Sequence, residues 1–183
     1  MFKVNRCFIG RTICCFVCAI AFLGVAMYYR PQAREPKTTE RPPDPIHTYT
    51  VVLPDNSPVL TRYKVYATRE GLIGGTTASG RVIHTEDVFV ALPSRKALNK
   101  WVCVRYQGKT IRAQVWDVGP WNTIDDYWNY EGIPAAAKGL RIGSMARYGS
   151  PKNKAGIDLS DGLWDQFGIK RGLGIVQVEW WFE

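Results

Sequence analysis

Two histidines, three methionines and five cysteines are all that this 183-residue sequence holds of those types. Four of the cysteines, Cys7, Cys14, Cys15 and Cys18, fall within the first eighteen residues. Cys103 stands alone in the remainder, so residues 47–183 have no internal disulfide and need a self-sufficient core. Cys15 and Cys18 have the C-x-x-C spacing. An uncharged, apolar setting gives a metal no deprotonated ligands with supporting hydrogen bonds, so these cysteines read as apolar filler. The glycine-bearing run over 74–80 lacks the G-x-G-x-x-G and G-K-[ST] patterns, which argues against a phosphate cradle there. Ser-His-Asp and Cys-His arrangements are lacking, and no period of 20–50 residues marks a repeat array. No metal and no cofactor is expected. The formal charge is +8, but seven Lys/Arg against three Asp/Glu sit in residues 1–46, leaving seventeen against thirteen beyond. That mild, unclustered excess suits an acidic polysaccharide and argues against nucleic acid as a partner.

What is present falls into three parts. Thr12 to Tyr29 is an eighteen-residue run without a charge, flanked by Lys3, Arg6 and Arg11 before it and by Arg30, Arg34 and Lys37 after it. As a helix it spans roughly 27 Å, close to the hydrocarbon thickness of a bilayer. Ala19-Ile20-Ala21 lies mid-run, where cleavage leaves an apolar new terminus, so residues 1–29 read as an uncleaved signal anchor. Residues 30–46, with five prolines, read as an extended spacer. Residues 47–183 read as a domain exported to the periplasmic or wall side of that membrane.

Within the domain, short β-rich runs alternate with Gly, Pro and Asn. They predict strands near 48–53, 60–67, 87–92, 101–106, 110–117 and 174–182, with Val65, Val90, Val102, Val104, Val115, Val176 and Val178 among the inward residues. Cys103 is expected to point into the core. Two short helices are predicted, one over 134–138 stopped by Gly139, the other over 161–167 with Ser160 as N-cap and Gly168 as C-cap. The pattern is all-β, a small barrel or sandwich.

Three patches carry chemistry: the hydroxyl-bearing loop Gly74-Gly75-Thr76-Thr77-Ala78-Ser79-Gly80, the strand end Val115-Trp116-Asp117-Val118-Gly119-Pro120-Trp121, and Gly156-Ile157-Asp158-Leu159-Ser160 before a helix. Singly, each has a structural reading. The loop can be a plain turn, Asp117 an Asx-turn residue, and Asp158 an acceptor of backbone N–H groups.

Taken in order, T-A-S-G, D-x-G-P and I-D-L-S resemble the rare lipoprotein A family of septal lytic transglycosylases; expansins, barwin-like proteins and the 3D domains of wall-lytic enzymes are more distant relatives. The resemblance runs from about Val65 to Trp181. It implies a six-stranded double-psi β-barrel, here with one or two short helices and preceded by a transmembrane helix, in which Asp117 and Asp158 share a groove. It further implies cleavage of peptidoglycan glycan strands to 1,6-anhydromuramyl ends, with Asp117 and Asp158 catalytic; Thr77, Ser79, Trp121 and Trp128 are expected as substrate contacts. Paired carboxyls suit that chemistry, one protonated to serve the leaving oxygen and one ionised. The sequence departs from the family at Pro93, which falls where the family has histidine, with His84 and Glu86 nearby. It departs again over residues 121–155, an insertion bearing Trp121, Tyr127, Trp128 and Tyr130. Those aromatics suit glycan stacking and lid packing equally. The alternative function is a non-catalytic module that binds or loosens wall glycan.

Overall fold

In the computed structural model the described residues are 45–51 and 60–183. The anchor expected over 1–29 and almost all of the expected spacer lie outside them. Among the described residues no helix is long and apolar enough to cross a membrane.

Seven strands form among these residues: β1 (His47–Val51), β2 (Leu60–Arg69), β3 (Phe89–Ala91), β4 (Trp101–Tyr106), β5 (Lys109–Asp117), β6 (Ala155–Leu159) and β7 (Ile175–Phe182). They are ordered β1-β2-β6-β3-β5-β4-β7, and β7 returns to pair with β2. Strands β2 to β7 therefore close a six-stranded barrel, while β1 hangs outside the ring on β2, with His47 opposite Lys64 and Val51 opposite Leu60. The protein is all-β with few short helices, as the residue pattern predicts. Two pairs are parallel, β2 with β6 and β3 with β5; β3 and β6 lie side by side antiparallel.

Alternation decides which side faces in. Tyr63, Val65 and Ala67 of β2, Val102 and Val104 of β4, Ala113 and Val115 of β5, and Val176, Val178 and Trp180 of β7 are buried. By the same period of two, Cys103 between Val102 and Val104 turns outward. It is half-buried on the outer face opposite Arg112 and Trp181, which corrects the expectation that it enters the core. The β4–β5 turn is Gln107-Gly108, both at positive φ (46° and 85°), the two-residue geometry that suits strand twist.

The strand over Ala155–Leu159 was not predicted. Ala155, Gly156, Ile157 and Leu159 are buried on both faces of the wall, so no alternation marks it in the sequence. One α-helix follows, α1 (Asp161–Gln166). The Ser160 hydroxyl accepts the Leu163 N–H at 3.3 Å and the Phe89 N–H at 3.0 Å, and donates to the Asp87 carbonyl at 2.6 Å. The cap thus ties the helix to the start of β3. Gly162 permits this, because a Cβ there would lie 2.5 Å from the Glu86 carbonyl group and 2.6 Å from the Asp87 oxygen. The second predicted helix is a 3-10 turn, Ala135–Lys138, ended by Gly139 at φ 77°.

The 121–155 insertion is fixed to the barrel by aromatics. Tyr63, Tyr127, Trp128, Trp180 and Phe182 pack mainly edge to face. The Tyr127 hydroxyl accepts the Trp180 indole N–H at 2.9 Å and donates to the Gly156 carbonyl at 3.1 Å. Trp128 is part of this core at 9% exposure. Trp128, expected as a substrate contact, here packs as part of the lid.

Candidate functional site

Strands β2, β6, β3 and β5 are consecutive neighbours, and three carboxyls meet where they run together. Ala91 of β3 is the middle of the arrangement, paired with Asp158 on one side and Asp117 on the other. Two strand spacings put the two aspartate Cα atoms about 10 Å apart, and their charges act on each other. The Ala91 methyl and Gly119 leave the space between them low. A Cβ on Gly119 would stand 3.2 Å from Asp158 Oδ2 and 3.9 Å from the Ala91 methyl. The D-x-G-P turn and the I-D-L-S strand are therefore in contact.

The third carboxyl is Glu70, which sequence reading missed. In the parallel β2–β6 ladder Thr68 pairs with Asp158 and Arg69 with Leu159, and the Glu70 N–H donates to the Leu159 carbonyl at 2.9 Å. This carries Glu70 to the two aspartates. Only the long-range pairing reveals it, because a glutamate at a strand end before Gly71 belongs to no recognisable motif. Arg69 is held aside, its guanidinium donating to both Asp161 oxygens at 3.1 and 3.0 Å.

The environments of the three differ. Burial, then the negative charges of Asp158 and Asp117 and a side-chain hydrogen bond with Asp117, push Glu70 up to about 9. Glu70 Oε2 is enclosed and makes no hydrogen bond of good geometry, so its contact with Asp117 is a close approach of carboxyls rather than a tight pair. Burial likewise pushes Asp158 up to about 7; the Thr68 hydroxyl, which donates to its Oδ1, works against that and the Asp117 charge works with it. Asp117 is oriented by backbone, its Oδ1 accepting the Ala78 N–H at 2.8 Å and the Val118 N–H at 2.7 Å. At neutral pH the cluster thus holds a proton on Glu70, beside the backbone-oriented carboxyl group of Asp117. Among the described residues no group of acidic, His or Cys side chains is arranged to hold a metal ion.

The T-A-S-G loop touches this site through its backbone. The Ala78 N–H reaches Asp117, and the Ser79 N–H donates to the Trp116 carbonyl at 3.0 Å. Thr77 is buried, its hydroxyl 2.9 Å from that of Ser79 and bonded to the Arg81 backbone. Thr77, expected as a substrate contact, here shapes the loop that aims Asp117. Trp121 is half-buried at φ 62°, its indole N–H donating to Asn153 Oδ1 at 2.8 Å and its ring covered by Arg141 at 4.9 Å. His84 is exposed, in a turn closed by Asp87 Oδ2 on its N–H.

A family model described as Domain of unknown function (DUF8814) matches residues 61–179. The chain belongs to that family. The DUF8814 match spans β2 through most of β7 and so takes in all three carboxyls. No curated protein matches the chain. Among solved structures, the DUF8814 chain is similar to Streptomyces papain inhibitor, with 18% identity and a TM-score of 0.41, covering 66% of this chain and 93% of that one. It is also similar to a mutant expansin of Clavibacter michiganensis in complex with cellohexaose, with 15% identity and a TM-score of 0.40, covering 67% of this chain and 50% of that one.

Proposed function

We propose that Glu70, Asp117 and Asp158 form the acid site of a lytic transglycosylase acting on peptidoglycan glycan strands. The convergence of the three carboxyls on one low patch of the barrel wall carries the reading. In this mechanism Glu70 gives its proton to the glycosidic oxygen as the C1–O4 bond breaks, and Asp117 takes the proton of the muramyl 6-hydroxyl as O6 bonds to C1. The products are a free 4-hydroxyl and a 1,6-anhydro ring, and no water is consumed. The contact between Glu70 and Asp117 then returns the proton to Glu70. Asp158 acts as a positioning residue, its charge helping to keep Glu70 protonated.

The strand order with its two parallel pairs supports the double-psi form of the barrel. The uncharged run over 12–29 supports a membrane tether, with the domain facing periplasm or wall and further envelope partners unspecified. The alternative is a binding or loosening module without catalysis. It is favoured by Asp117 Oδ1, already engaged by two backbone N–H groups. Mass spectrometry of purified glycan strands after incubation with the protein separates the two readings. Anhydromuramyl ends that appear with wild type and vanish with Glu70→Gln support the enzyme. Strands left intact by wild type but co-sedimenting with it support the module.

A further inference from the structure

The 121–155 insertion contains a cavity of about 350 Å³ that the carboxyl site does not use. Its floor is Asp125, a residue only 7% exposed, and its walls include Ile133, Leu140 and Ile142. Tyr130 stands at its mouth 77% exposed, and Leu140 is 52% exposed, so a large ring and a branched chain are held in water beside a buried carboxyl. This size is at the lower end for small-ligand sites, which are mostly apolar with one or two fixed polar groups.

We propose that this cavity binds a primary ammonium on an apolar stem, such as the side chain of a lysine or another diamino acid. Asp125 Oδ2 accepts the Ala135 N–H at 2.7 Å, which fixes the carboxyl while leaving it further acceptor sites. The neighbouring charges are already paired: Lys96 Nζ reaches Asp126 Oδ2 at 2.7 Å, and Lys138 bonds Glu131 at the rim. Asp125 makes no ion pair among the described residues, although the Lys138 charge acts on it from the cavity wall; burial, the larger effect, raises its pKa. An ammonium reaching it gains a charge-assisted hydrogen bond, its methylenes lie along the apolar walls, and the Tyr130 ring at the mouth can cover the outer end of the stem. An anionic ligand would meet Asp125 at the floor and is disfavoured.

The test is titration of the full chain with Nα-acetyl-lysinamide and with its uncharged analogue Nα-acetyl-norleucinamide, followed by calorimetry and by the NMR signals of Leu140 and Ile142. Saturable binding of the lysine compound alone is expected, weakened roughly tenfold or more in Asp125→Asn and several-fold in Tyr130→Ala. Tyr130→Ala removes an exposed ring, so it remains informative should Asp125→Asn fold poorly. Equal binding of the two compounds, or no saturable shift at Leu140 and Ile142, overturns the proposal. Because the readout is binding, its failure is distinct from an absence of glycan cleavage.

Discussion

At the scale of single residues, Asp117 and Glu70 show two routes by which a side chain reaches the candidate site. Asp117 is legible in the sequence because a strand end running into Gly-Pro is a turn that presents its acid, and Asp158 because it precedes a recognisable helix cap. Glu70 is not legible. Its neighbours across the ladder lie some ninety positions away, and its character comes from burial and two like charges that only the fold assembles. The two residues also make separable predictions. Asn at position 117 keeps an oxygen for the Ala78 and Val118 N–H groups, so Asp117→Asn should fold as wild type while sugar release falls about 10²–10⁴-fold. Glu70→Gln should cause a loss of similar size. On the proposed mechanism, anhydromuramyl release by wild type followed against pH should decline as Glu70 loses its proton near pH 9.

Among the elements, what the sequence makes legible is whatever is local. Ser160 and Gly168 bracket α1, Gln107-Gly108 marks the β4–β5 hairpin, and alternating Val and Ala residues mark β2, β4 and β5. The strand β6 has no such signature, since Ala155-Gly156-Ile157 is buried whichever way it faces. Yet β6 seats Asp158, and the helix that ends it is held by close backbone contact at Gly162. Gly162→Ala should cost roughly 2–4 kcal/mol, because carbonyl groups rather than a flexible side chain must retreat. Ser160→Ala should cost about 1–2 kcal/mol through the lost cap and its bonds to Phe89 and Asp87. Chemical denaturation of both variants at constant pH measures these losses.

For the whole molecule, raised carboxyl pKa values tie stability to pH. Glu70 titrates near 4.5 when unfolded and about 9 when folded, so the folded state binds the proton more tightly. Its contribution is complete below about pH 4.5 and fades as pH rises towards 9; Asp158 adds a similar loss between about 3.8 and about 7. The protein should therefore melt at lower temperature at pH 9 than at pH 6. Glu70→Gln should flatten that slope and, at pH 9, recover on the order of 2 kcal/mol, discounted for partial solvent access. Differential scanning calorimetry across pH 5–9 checks both. The position of β1 adds a mechanical property. Tension entering through residue 45 meets first the five residue pairs between β1 and β2. That ladder, with the Thr48 hydroxyl donating to the Glu131 carbonyl at 3.5 Å, is the first structure such a pull meets, and it lies at the opposite end of β2 from Glu70.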